Sequence, residues 1–196
     1  MTKMSPYLTV KLCPPEDFWS TYDPATTPHE QDRDGGTALV AACDHKDPNV
    51  RLAMANRLLD DGADPTAYTR AERLNTPHLL LTPSNSPPAE NVPAEAALLN
   101  RLLDGGADIN LRSPRWGTPL QALKDIKLAD EEMVPYYDVI FERPNLRFDL
   151  KLARSKTNPL SDIMRGVAPR LPLLNARFEA YILEHPESMP HENPTT

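Results

Sequence analysis

Apolar residues along this chain fall into short runs at helical spacing, separated by polar, turn-forming clusters. In one run Val50, Met54 and Leu58 stand at i, i+4 and i+8, with Leu59 beside them. In another, Ala94, Leu98 and Leu102 take the equivalent places, with Leu103 beside them. Spacing near one helical turn puts each set on one stripe of an amphipathic helix. Both runs close on nearly the same nonapeptide, NRLLDDGAD at residues 56–64 and NRLLDGGAD at residues 100–108, 44 residues apart. Gly62 and Gly106 are expected just past the helix ends, where a left-handed backbone is open to glycine and strained for other residues.

A second signal recurs between these runs. GGTALVAA (residues 35–42), NTPHLLL (75–81), GTPLQAL (117–123) and TNPLSDIM (157–164) each open an apolar stretch. A threonine hydroxyl at a helix start accepts a backbone N–H, and proline in the first turn loses nothing there. Thr37, Thr76 and Thr118 are the expected caps, with Asn158 as the fourth, at spacings of 39, 42 and 40 residues. A steady period of this kind marks stacked units, each burying its apolar face against its neighbours. The expected fold is all-α: a helical-hairpin solenoid with about four degenerate units and terminal caps.

Thr-Pro-Leu opening one helix and Leu-Leu-x-x-Gly-Ala-Asp closing the next resemble the ankyrin repeat, most fully in GTPLQAL and RLLDGGADINLR. The resemblance implies a repeat domain over residues 34–185, with units near 34–73, 74–114, 115–154 and 155–185. Residues 1–33 are expected to cap the array, through a short helix from Pro15 carrying Phe18 and Trp19; a loose docking segment is the alternative. Residues 186–196 are expected to be a disordered tail. The third unit closes on VIFERPNLRFDL instead of Gly-Ala-Asp, a proline-containing variant of the turn. Extra residues enter between the two helices of each unit, at 44–49, 82–93 and 127–135. The family's histidine after Thr-Pro-Leu is replaced by Val40, Leu79 and Gln121, and His78 falls one position early, which implies weaker hydrogen bonding between units.

Composition narrows the setting. The chain has 22 prolines but only seven glycines, which favours many short helices with sharp ends over a flexible low-complexity chain. Two cysteines, Cys13 and Cys43, are too few for a disulfide framework, and free thiols fit a reducing compartment. The N-terminus shows no apolar signal-peptide core, and no apolar run is long enough to span a membrane. The expected location is the cytoplasm, with export lacking a cleaved signal as the alternative.

Candidate chemistry is sparse. The five histidines show no metal-ligand spacing, and there is no Cys-x-x-Cys. His78, at a helix start, reads as a packed structural residue. The acidic pairs Glu16/Asp17, Asp60/Asp61 and Glu131/Glu132 are adjacent in sequence and point apart, unlike a facing acid–base pair. Glycine-rich phosphate loops and nucleophile motifs are absent. No enzyme activity, cofactor, metal or small-molecule substrate is expected, and no membrane partner.

Charge patterning points elsewhere. The turns at residues 65–75, 109–117 and 147–157 carry eight basic residues against Glu72 and Asp149, a net of +6 on a chain of net −7. Stacking would set these fingers side by side, so that their fields add. Arginine and aromatic residues anchor protein interfaces. The expected partner-binding residues are Tyr68, Arg70, Arg73, Arg112, Arg115, Trp116, Arg147, Phe148, Lys151 and Arg154, and the expected partner is one specific protein with an acidic patch. Polar turns that merely stay wet, with Trp116 and Phe148 packed beneath, are the bland alternative. Ankyrin arrays act as rigid binding surfaces, so the resemblance implies a module that sequesters or inhibits its partner. Stand-alone bacterial ankyrin proteins include immunity proteins that occlude a toxin. A host-directed effector or regulatory adaptor is the alternative setting, and nucleic-acid binding by the basic fingers is the alternative chemistry, disfavoured by the acidic balance.

Overall fold

The computed structural model describes residues 4–150 and 159–190, and these are mostly helical. Ten α-helices follow in order: α1 (Pro6–Leu12), α2 (Pro15–Thr21), α3 (Ala38–Cys43), α4 (Pro48–Asp60), α5 (Thr76–Leu80), α6 (Val92–Asp104), α7 (Pro119–Leu123), α8 (Val134–Phe141), α9 (Leu160–Gly166) and α10 (Pro172–Glu184). Among the described residues the only β pairing is three isolated antiparallel bridges, Gln31 with Thr37, Tyr68 with Asn75 and Ser113 with Gly117. Each closes a turn immediately before α3, α5 or α7. The protein is therefore all-α.

Helix contacts follow two rows. The short helices α1, α3, α5 and α7 touch in sequence order, as do the longer α4, α6, α8 and α10. The two rows meet where α3 packs on α4 and α5 on α6, while α9 packs on α10. Within the rows, α3, α5, α6 and α8 each pack on the helix before and the helix after.

Local chemistry explains the starts and stops. Thr37 and Thr118 cap α3 and α7, accepting the N–H groups of Val40 and Gln121 at 3.2 Å. At α5 the cap is Asn75 and not the expected Thr76: the Asn75 side chain accepts the His78 N–H at 3.2 Å, and Thr76 is the first helical residue. Asn158 lies outside the described residues. Gly62 and Gly106 have φ of 86° and 98°, the left-handed region that other side chains resist.

Met54, Leu58, Leu98 and Leu102 are buried as expected, but the residues that open the two stripes are not the expected ones. On α4 the enclosed positions are Arg51, Met54, Ala55 and Leu58, and on α6 Glu95, Leu98, Leu99 and Leu102 belong to the same stripe. Val50 is half-buried, and Ala94, expected on the stripe, is exposed. A charged residue opens both stripes. Arg51 and Glu95 are fully enclosed and bond to each other, with Arg51 Nε donating to Glu95 at 2.8 Å. The Arg51 guanidinium also donates to the carbonyls of His45 and Asn85, and Tyr136 on α8 donates to the other Glu95 oxygen at 3.2 Å. One polar network therefore spans α4, α6 and α8. Burial pushes the Glu95 carboxyl above its ordinary range, opposed by Arg51 and the Tyr136 hydroxyl.

The duplicated nonapeptide has a physical purpose at its polar positions. Arg101 of α6 donates to Asn56 at 2.6 Å and Asp60 at 2.8 Å on α4. Arg143, just past α8, donates to Asn100 and Asp104 on α6, and Arg177 of α10 to Asp138 on α8. Asn and Asp one turn apart hold the arginine of the next helix in the row.

The ends of the chain also pack. Ser5 caps α1, a helix not expected from the sequence, and Val10 of α1 and Phe18 of α2 are buried. Residues 186–190 belong to the packed structure, contrary to the expected tail. Pro186–Ser188 forms a single 3-10 turn, and the Ser188 carbonyl accepts the Phe148 N–H at 2.8 Å. Residues 191–196 lie outside the described residues.

Candidate functional site

The three bridge-closed turns lie next to one another and are stitched by hydrogen bonds. The Arg70 N–H donates to the Asp34 carbonyl at 2.7 Å, and the Arg70 guanidinium to the Arg33 carbonyl at 3.0 Å. Arg73 donates to the Arg112 carbonyl at 3.3 Å, and the Ser113 hydroxyl to the Glu72 carbonyl at 2.7 Å. Further along, the Arg147 N–H donates to the Asn110 side chain at 3.0 Å. Arg33, Arg70, Arg73, Arg112 and Arg115 are all exposed along this edge.

Two aromatic rings stand out between them. Tyr68 is 40% exposed and Trp116 45% exposed, with the Arg73 guanidinium 5.8 Å from the Tyr68 ring centre and Arg115 5.0 Å from that of Trp116. Cations over ring faces attract weakly at exposed sites. Arg73 has φ of 52°, a left-handed backbone in a residue with a full side chain. Such strain costs about 1 kcal/mol or more and persists only where the surroundings enforce it.

The expected binding residues divide on inspection. Tyr68, Arg70, Arg73, Arg112, Arg115 and Trp116 share one exposed edge. Arg147 is exposed but held by Asp149 through two contacts, 3.1 and 2.7 Å, so its charge is locally cancelled. Glu72 stands 3.7 Å from Arg115 and offsets part of that charge. Phe148 is not a surface anchor: it is fully buried, with its ring centre 4.8 Å from that of Phe178 and 5.8 Å from that of Tyr181. Lys151 and Arg154 lie outside the described residues.

Beside this edge opens a groove of about 280 Å³, walled by α1, α5 and the turns. Leu74, Leu79 and Ala122 give it an apolar lining, Tyr7 and Trp116 supply rings, and Asp34, Asp44 and Glu72 supply carboxylates. A Cβ on Gly36 would stand 2.7 Å from the Tyr7 ring, so glycine there is what lets α1 lie so close. Sequence reasoning missed Arg33 and every groove carboxylate except Glu72, which it counted only as an offset to the fingers. The contributors come from residues 34, 44 and 72, with no local motif to join them.

His78 also lines the groove wall, almost fully buried. Its Nε2 lies 2.9 Å from the Gly117 carbonyl, so it ties α5 to the turn before α7. The expectation of weakened bonding here is corrected by the cap. With Asn75 as the cap, His78 stands at the third helical position and its ring reaches the next turn. Burial pushes its pKa down to about 4, against the raising effects of the Gly117 carbonyl and Asp108.

Among the described residues, no helix is long and apolar enough to cross a membrane. No protein-family model matches the chain, and no curated protein matches it. It is similar to a solved structure described as "The crystal structure of a functionally unknown protein from Leptotrichia buccalis C-1013-b", with a TM-score of 0.70 and 18% identity. The likeness covers 93% of this chain and 94% of that one. At that identity it speaks to the fold alone.

Proposed function

We propose that the chain is an ankyrin-type array serving as a non-catalytic protein-binding module, which grips one specific protein where the turn edge meets the groove. Three features support the ankyrin reading: caps recurring at the start of the short helices, left-handed glycines ending α4 and α6, and contacts running in sequence order along two rows. His78 adds to it, bonding to the next turn from the third helical position, as the family's histidine does.

The observation that carries the binding reading is the exposed strip of Tyr68, Arg73, Arg115 and Trp116 along the lip of an apolar-lined groove. Large rigid rings lose little conformational freedom on contact, and aromatic and arginine residues dominate interface energies. The outward cations suit an acidic patch on the partner. Rigid occlusion of that partner in the cytoplasm, as an immunity protein occludes a toxin, is the biological setting that fits a module of this size. A nucleic-acid partner fits less well, because the carboxylates of the groove would face its phosphates.

The test is capture of partners from the source cells by wild type and by the Arg70→Glu/Arg73→Glu/Arg115→Glu variant, identified by mass spectrometry. The reading expects a protein retained by wild type and lost by the variant at unchanged melting temperature. Identical recovery by both removes the edge from the account.

A further inference from the structure

The groove differs in sign from the edge beside it. Asp34, Asp44 and Glu72 line it, and one cation already sits among them. Lys11 of α1 places its ammonium 3.3 Å from Asp44 and 5.4 Å from the centre of the Tyr7 ring. Lys11 therefore shows how a cation is held here: the Asp44 carboxylate at one side and the Tyr7 hydroxyl, 3.4 Å away, at another.

The two remaining carboxylates are open to a further cation. Glu72 pairs with Arg115 at 3.7 Å, and both side chains are well exposed. Asp34 accepts the Ala71 N–H at 2.8 Å and has no cationic partner among the described residues. Trp116 lines the same space, and Leu74 and Leu79 give it apolar surface. The three carboxylates outnumber the one lysine, and a walled groove focuses such a net negative field on whatever enters.

We propose that this groove takes a lysine or arginine side chain from the bound protein, with Asp34 and Glu72 as its counter-charges and the Trp116 ring against its stem. The inference rests on the protein-binding reading and adds to it. The partner's contact surface then carries both signs, acidic groups facing the arginine edge and a basic residue reaching inward past Trp116. That two-signed requirement disfavours a protein surface broad enough to cover both halves with one sign of charge, whereas a short basic peptide can enter the groove alone.

A probe peptide tests the groove without knowledge of the partner. Trp19→Phe leaves Trp116 as the one tryptophan of a chain that has two. Its emission is then followed during titration with a short oligolysine peptide, and in parallel with oligoglutamate. The groove predicts a saturable change with oligolysine. Asp34→Asn/Glu72→Gln, which keeps an oxygen for the Ala71 N–H, should weaken it about tenfold, equivalent to about 1.4 kcal/mol. Glu142→Gln/Glu184→Gln changes net charge identically at distant exposed positions and should leave binding unchanged. Three results would overturn the inference: no saturable change, equal weakening by both pairs, or a response to oligoglutamate instead. Any of these alongside partner capture still lost in the arginine-reversed variant removes the groove's role and leaves the binding module standing.

Discussion

Replacing Arg51 with methionine isolates the strongest structural demand in the molecule. The guanidinium is fully enclosed, bonds Glu95 through Nε at 2.8 Å, and satisfies the carbonyls of Asn85 at 3.0 Å and His45. Its removal strands a buried carboxylate with only the Tyr136 hydroxyl, at 3.2 Å. Breaking one partner of a buried pair costs roughly 3–5 kcal/mol, and the two orphaned carbonyls add to it. About 4 kcal/mol is a large share of the roughly 5–15 kcal/mol that holds a domain folded. Replacing both Arg51 and Glu95 with methionine removes both charges together but leaves the two carbonyls and the Tyr136 hydroxyl unpartnered, so the double variant should recover much, and not all, of the single variant's loss. Urea unfolding of wild type, both single variants and the double variant, followed by far-ultraviolet circular dichroism, closes the cycle. Burial already holds the Glu95 carboxyl above its usual range, and without Arg51 it should rise further. Protonation removes the stranded charge, so the Arg51→Met deficit should shrink as pH falls and grow as pH rises. Single variants costing under about 1 kcal/mol, or a double variant no better than the worse single, would refute the network as a working connection between the three helices.

Other outcomes follow from the same geometry. His78 is neutral in the folded state down to about pH 4, whereas the unfolded residue takes its proton near 6.5. Acidification between those values therefore removes about 3 kcal/mol of stability, a slope that His78→Gln should flatten. A His78 titration by NMR above 6.5 would mean that the folded state favours the imidazolium, and the sign would reverse. Gly106→Ala forces a methyl-bearing residue to φ of 98°, and thermal melts should show a loss of about 1–2 kcal/mol. Arg73→Gly relieves the strain at φ of 52° and should raise stability by up to about 1 kcal/mol while weakening partner capture. A stable variant with undiminished capture would mean that the strained backbone serves no binding purpose.

The elements most legible in the sequence are those written by local rules. Thr37 and Thr118 cap because a hydroxyl before an apolar run has few other roles there, and Gly62 and Gly106 end helices because the backbone must turn left-handed. Thr76 misled because Asn75, beside it, is the stronger cap and shifts the helix by one residue. Met54, Leu58, Leu98 and Leu102 were legible as buried, but Val50 and Ala94 were taken to open the stripes because hydrophobic periodicity discounts Arg51 and Glu95, which satisfy each other from positions 44 residues apart. Phe148 looked like an anchor because basic residues flank it in sequence, yet Leu146 and Phe148 turn into the core while Arg147 between them faces out. The arginine edge was legible as composition. The groove was not, because its carboxylates and large rings come from α1, three turns and the end of α3, which only the packing brings together.

The account turns most on Trp116, the residue shared by the arginine edge and the groove. Its direct test is the affinity of wild type and Trp116→Ala for the captured protein partner, measured side by side by calorimetry with melting temperatures matched. An anchor of this kind predicts a loss of at least about 2 kcal/mol, roughly 30-fold in Kd. Equal affinities for a correctly folded variant would contradict it.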